Sequence, residues 1–326
     1  MEYLSFGITS SLALLFSEKP DVIYANTWPI FAQGLVCLVA RLKKIPLVLS
    51  VQDIYPESLV CQGRIRENGW VFRILLAIDR VITRRCSSVI VISDRFTHSY
   101  SGLRGIPLEK IKVVPNWIDS QAVRLTPKEK YRQRSGISKE AFVLVYGGNI
   151  GMAADVETVI KALEYVKSER EIVLIVAGSG SNLQTCQILS GYLSNARVIF
   201  HTPWPIDETA EVLGAADVLV LPTHGNQSLV SVPSKMLSYL LSARPILATV
   251  SKESDIAEVI GKTGCGWVVP PDMPELLARK IEEVSKISED QLIKLGQSGR
   301  EFALQNLVSE ICLPKVIEAI LSAVKA

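Results

Sequence analysis

The stretch "YGGNIGMAAD", residues 146–155, decides how the chain is read. It follows the apolar run Ala141–Val145 and precedes the helix-like stretch Val156–Val166. Two adjacent glycines, an asparagine and a third glycine stand at the junction. A strand-to-helix turn aims free N–H groups and the positive end of the helix dipole at one point, where a phosphate fits. Glycine removes the Cβ that would hold the phosphate away. A tight turn needing positive φ would ask for the same residues. The spacing is not G-x-G-x-x-G, so this is no dinucleotide fingerprint.

The same alternation of apolar run and helix-length segment continues in both directions. Strands are predicted over Val22–Ala25, Leu47–Val51, Ser88–Ile92, Ile111–Val114, Phe142–Tyr146, Ile172–Ala177, Val198–His201, Val218–Leu221, Ile246–Val250 and Gly266–Val269. Periodic helical stretches lie between them, among them Val71–Thr83, Val156–Lys167, Asp207–Leu213, Ser234–Leu241 and Pro274–Val284. This order predicts an α/β fold of parallel, doubly wound sheets. Continuous apolar strands such as "IVLIVAG" suit a sheet covered on both faces.

The pattern lapses over Asp119–Lys139, which is rich in charge. We therefore expect an N-terminal Rossmann-like domain over 1–120, a linker over 121–140, a second Rossmann-like domain over 141–310 and a helix over 311–326, with Pro314 near the start of that helix. The first half holds four strand candidates and opens with a helix, whereas a doubly wound domain normally opens with a strand. It is expected to be an incomplete domain.

The chain has 326 residues, 48% apolar and 21% charged, and a net charge of +2. Nothing in that balance points to nucleic acid. Six cysteines lie far apart without a C-x-x-C, as expected of reduced thiols in a cytoplasmic protein. The apolar start Tyr3–Phe16 is shorter than the ~20 residues of a spanning helix. It reads as a core or inter-domain helix, or as one lying near a membrane surface. No His, Cys, Asp or Glu cluster has metal-ligand spacing, so no metal is expected.

Two further junctions repeat the glycine chemistry. In "VAGSGS", residues 176–181, Gly178 and Gly180 would let a ligand approach, or simply close a turn. In "VLPTHGNQSLVSVPSKMLSYLLSARPILATV", residues 220–250, a strand ends at Leu221 and a helix begins near Pro233, with Ser231 or Ser234 as its cap. Lys235 in the first turn opposes the helix dipole, and a bound diphosphate would explain it. Arg244 offers a second cation.

These motifs, with "VIFHTPWPIDETAEVLGAADVLVLPT", "GWVVPPDMPELLARKI", "VLSVQDIYPESLV" and "VVPNWID", resemble the family-four retaining glycosyltransferases of the GT-B fold. The likeness is strongest to the branch that builds bacterial surface polysaccharides such as capsule, O-antigen and colanic acid. It implies a nucleotide-sugar donor, linked to UDP or GDP, and a glycan or polyprenyl-linked acceptor. It implies no cofactor and no metal, and a cytoplasmic protein touching the inner face of the membrane. Carried over residue by residue, Gly148, Asn149 and Gly151 would line the donor phosphates, and Gly178 the base or ribose. Ser231, Ser234 and Lys235 would face the diphosphate and sugar, and His224 would touch the sugar. His98 and His201 would serve structure. The resemblance also implies an acceptor-side residue beside the reacting carbon; Asp53, just past the carboxyl end of the strand Leu47–Val51, is the candidate, or else caps a helix or forms an Asx turn, and Glu57 is its partner or a surface residue. Lys235, Arg244 and the N–H groups of residues 148–151 would stabilise the leaving diphosphate.

The chain departs from the pattern at Ala154, Asp155, Ser238 and Ala243, where relatives carry other residues. It also lacks the opening strand and glycine-rich loop of those relatives, so the resemblance implies an N-terminally truncated enzyme. Two other readings compete: a non-catalytic remnant or partner subunit that keeps nucleotide binding only, and a sugar-nucleotide epimerase, which the scarcity of histidine disfavours.

Overall fold

A computed structural model describes residues 2–27 and 29–325. The chain divides into two compact units, Met1–Asn116 with Ser309–Ala326, and Trp117–Val308.

The first unit runs α1 (Glu2–Phe16), β1 (Ile23–Asn26), α2 (Ile30–Leu42), β2 (Leu47–Val51), α3 (Glu57–Cys61), α4 (Trp70–Arg85), β3 (Ser88–Val91), α5 (Asp94–Gly102) and β4 (Ile111–Val113). Its four strands are parallel and lie in chain order, β1-β2-β3-β4, with Leu49 set between Ala25 and Val89. β2 and β3 are buried throughout, which is why their sequences carry no alternation. α1 packs on α2 so closely that a Cβ on Gly7 would lie 2.8 Å from the Cα of Ala32. Its other side leaves Phe6, Leu12, Leu15 and Phe16 exposed. Among the described residues no helix is long and apolar enough to cross a membrane.

The second unit runs α6 (Lys128–Arg134), β5 (Phe142–Gly147), α7 (Val156–Tyr165), β6 (Ile172–Ala177), α8 (Leu183–Ser190), β7 (Ala196–His201), α9 (Thr209–Gly214), β8 (Val218–Pro222), α10 (Lys235–Leu241), β9 (Ile246–Thr249), α11 (Asp255–Thr263), β10 (Gly266–Val269), α12 (Pro274–Val284) and α13 (Glu289–Asn306). Its six strands are parallel in the order β10-β9-β8-β5-β6-β7. Period-two geometry sends Val143 and Val145 to one face and Phe142, Leu144 and Tyr146 to the other. The first set packs with α10, α11 and α13, the second with α7, α12 and Cys186 of α8. Apolar strands between two helical layers are the doubly wound arrangement that the alternation predicts.

Residues 121–140 carry α6, which is anchored to the second unit. Tyr131 and Arg132 are buried, and Arg132 donates 2.8 Å to the Ala215 carbonyl while pairing with Asp217 at 2.9 Å. Asp217 in turn accepts from the Val143 N–H at 2.8 Å. The charged stretch, expected to be a linker with a short helix, holds that helix to the amino edge of the sheet through an ion-pair clasp.

A last helix, α14 (Ser309–Lys325), packs on β2 and β3 of the first unit. Pro314 lies inside it rather than at its start. The break falls earlier, at the buried pair Leu307 and Val308: Ile118 donates 3.1 Å to the Leu307 carbonyl, and Ile118 forms a β-bridge with Val308.

Candidate functional site

In the second sheet the chain leaves β5 toward β6 on one side and later sets β8 on the other. The carboxyl ends of β5 and β8 therefore flank a topological switch point, where open parallel sheets bind ligands. The loops leaving those two strands are the glycine junction at 147–155 and the segment 223–234.

β5 ends on a fixed strand terminus. The Gly147 N–H donates 2.8 Å to the buried Tyr239 hydroxyl, which donates back to the Gly147 carbonyl at 3.2 Å. Gly148 follows at φ +149°, and a Cβ there would come 3.1 Å from Lys235 Cε. Lys235, first residue of α10, donates from Nζ to the Tyr146 hydroxyl at 2.6 Å and sits 4.3 Å from the ring centroid. That hydroxyl donates to the Asn149 carbonyl at 2.5 Å. Burial lowers the Lys235 pKa to about 8. Among the described residues no carboxylate pairs with it. A half-buried ammonium without an anion thus stands against the glycine turn, which is a costly arrangement until an anion arrives.

The free donors of the turn are fewer than the sequence suggests. Gly148 N–H goes to the Ala177 carbonyl at 2.9 Å and Ile150 N–H to Ser179 at 2.8 Å. The N–H groups of Asn149 and Gly151 have no internal partner among the described residues. Asn149 is exposed, and its side chain lies beside Gly151 and Gly180.

Gly178 has a different reason to be glycine. At φ +132° its Cβ would fall 2.0 Å from the Gly148 carbonyl oxygen. The loops after β5 and β6 interlock here, backbone against backbone. This close packing alone demands a glycine at 178.

Two expectations about α10 change. The helix opens at Lys235, past Pro233, and Ser234 at the cap position makes no side-chain cap bond. Ser231 is half-buried and Ser234 exposed on the same approach. Arg244 does not join this group. It precedes β9, at the amino edge of a parallel sheet, while the glycine turn lies at the carboxyl edge. Its Nη2 donates 2.7 Å to the Gly214 carbonyl, and burial lowers its pKa. It braces the sheet's far end.

His224 opens the loop after β8. Its Nδ1 lies 2.9 Å from Asp272 Oδ1, and the Gly225 N–H donates 3.0 Å to Asp272 Oδ2. Asp155 stands beside them, left-handed at φ 47° and buried. Burial raises its carboxyl pKa to about 6, and its contact with Thr158 opposes the rise. His201 Nε2 lies 2.6 Å from Glu208 Oε2 and its Nδ1 hydrogen-bonds the Tyr131 hydroxyl at 3.2 Å, and His98 bonds its own helix at the Asp94 carbonyl. Tyr146, Tyr239 and Asp272 were not legible as site residues, because their partners lie 89, 92 and 48 positions away.

In the first unit Asp53 follows the carboxyl end of β2, exposed at a cavity of about 250 Å³ that Thr27, Tyr55, Gln62 and Arg64 also line. Glu57 is committed elsewhere. Its two oxygens accept from Nη1 and Nη2 of Arg104, each at 2.8 Å. Arg104 is fully buried and also donates to Asp79 at 2.7 Å and to the Tyr55 carbonyl at 2.6 Å. Glu57 therefore positions the segment that carries Asp53.

Both units match known domains. Residues 5–117 match the glycosyl transferase 4-like domain and residues 141–286 the family described as glycosyl transferases group 1. Each of the two matches is to a glycosyltransferase domain. It is 26% identical over 317 residues to the probable glycosyltransferase WbjE of Pseudomonas aeruginosa, covering 93% of this chain and 76% of that one. It is 22% identical over 325 residues to the putative colanic acid biosynthesis glycosyl transferase WcaI of Escherichia coli K12, covering 97% and 78%. Among solved structures, Anabaena HepE in complex with UDP and glucose superposes with a TM-score of 0.75 at 17% identity, covering 97% of this chain and 81% of that chain. The fold is GT-B, built of two Rossmann-like parallel-sheet domains.

Proposed function

We propose that this chain transfers a hexose, with retention, from a UDP- or GDP-sugar to a lipid-linked glycan in bacterial surface-polysaccharide synthesis. One observation carries the reading: the unpaired ammonium of Lys235 beside the Gly148 turn, at the switch point of the second sheet. A donor diphosphate placed there would accept from Lys235 Nζ and from the N–H groups of Asn149 and Gly151. As the bond from anomeric carbon to diphosphate breaks, negative charge grows on the leaving oxygen, where fixed donors stabilise it most. The acceptor hydroxyl attacks from the face the diphosphate leaves, and its proton passes to the departing phosphate oxygen. No side-chain nucleophile is invoked. Ser231, Ser234 and His224 would contact the diphosphate and sugar, and Asp53 the acceptor. The protein would work in the cytoplasm at the inner face of the membrane. The names of WbjE and WcaI support the class of reaction, and the UDP and glucose bound to HepE support the class of donor.

The experiment is calorimetry with UDP and GDP, followed by turnover of the matching sugar nucleotides with a polyprenyl-linked acceptor and NMR of the product anomer. Binding with transfer supports the proposal. Binding without hydrolysis or transfer would favour the non-catalytic reading, and an inverted product would remove retention.

A further inference from the structure

Three loops of the second unit meet in one cluster that no sequence spacing reveals. Asp155 ends the loop after β5, His224 lies in the loop after β8, and Asp272 follows β10. One ligand atom from each lies within 4.8 Å of the other two. Asp155 is only 9% exposed, and its Oδ2 is buried with no hydrogen-bond partner among the described residues. No lysine or arginine pairs with Asp155 or Asp272 among the described residues. A buried carboxylate oxygen lacking both a donor and a cation is an exception that asks for a ligand.

We propose that Asp155, His224 and Asp272 bind one divalent transition-metal ion of the Mn²⁺ or Zn²⁺ class. Two carboxylates and an imidazole suit such ions, whereas Mg²⁺ and Ca²⁺ favour oxygen-only sites. Ligand bonds of about 2.1 Å place neighbouring ligand atoms roughly 3–4 Å apart, so small side-chain rotations close the site. The 2.9 Å contact between His224 Nδ1 and Asp272 Oδ1 then becomes a shared metal instead of a hydrogen bond. His224 and Asp272 are exposed, which gives the ion an entry path and leaves positions for water or ligand. The ion ties together loops from both sides of the switch point. Ion uptake can be measured whether or not the chain transfers a sugar.

The test is titration of Mn²⁺ into chelator-treated protein, followed by loss of the free-ion electron paramagnetic resonance signal. We expect one ion per chain, and a melting temperature that rises with Mn²⁺. Asp155→Asn keeps the shape and tolerates the left-handed backbone. It should weaken uptake at least about tenfold, as should His224→Ala. If Asp155→Asn does not fold, Asp272→Asn takes its place. Mg²⁺ at equal concentration should compete poorly. No uptake by the wild type, or uptake unchanged by these substitutions, overturns the proposal.

Discussion

The Nζ of Lys235 lies 2.6 Å from the hydroxyl of Tyr146, and that tyrosine is the last residue before the glycine pair. The contact ties the start of α10 to the end of β5 across the switch point. Lys235→Met should weaken UDP binding about 10- to 100-fold, the usual worth of a charge-assisted bond. It should not lower the melting temperature, because the ammonium it removes has no anion to lose. Calorimetry and thermal unfolding on the same variant separate the two effects.

The pH dependence of that binding follows from the lysine. In the free protein Lys235 gives up its proton near pH 8. A bound diphosphate favours the charged form, so binding takes up a proton above that pH. UDP affinity should therefore fall as pH rises through 8. Lys235→Met should lack that step when titrated from pH 7 to 9.

Gly178→Ala would force a Cβ to within 2.0 Å of a carbonyl oxygen at a left-handed φ. The two loops cannot separate without breaking the Gly148–Ala177 hydrogen bond. We expect a stability loss of roughly 2 kcal/mol or more in urea unfolding. An alanine tolerated without cost would show that the loops are not locked.

Arg104→Met leaves Asp79 buried without its guanidinium. Removing one partner of a buried pair costs about 3–5 kcal/mol. Burial already raises the Asp79 pKa to about 6, so without Arg104 the carboxyl would rather hold its proton. The loss should be larger at pH 8 than at pH 5, measured by denaturant unfolding at both.

Arg244→Ala separates bracing from binding. Losing its bond to the Gly214 carbonyl should lower the melting temperature, while UDP affinity stays within about twofold. An affinity loss as large as that of Lys235→Met would return Arg244 to the donor site.

All ten strands were legible in the sequence to within two residues at either end. Each is a short apolar run bounded by polar or glycine residues, and in the central strands β2, β3, β5, β6, β8 and β9 burial on both faces leaves nothing to blur it. The glycine turn and Lys235 were legible for a related reason: glycine pairs and a cation at a helix start are locally costly, so they stand out. Arg244 was misplaced because sequence distance from Lys235 says nothing about which edge of a parallel sheet a residue reaches. Three residues past α10, the chain has already crossed to the amino side. Glu57 with Arg104, and Asp155 with His224 and Asp272, stayed hidden for the complementary reason. Their proximity is created by strand order, β10-β9-β8-β5 in the second sheet, and no local pattern encodes it.

The packing of α14 on β2 and β3 has a consequence for synthesis. Strands β2 and β3 wait for α14, and every residue from Trp117 to Val308 must be translated in between. Chains interrupted during translation would hold a finished second unit and an uncovered first unit. Chaperone demand should therefore fall on the part made first.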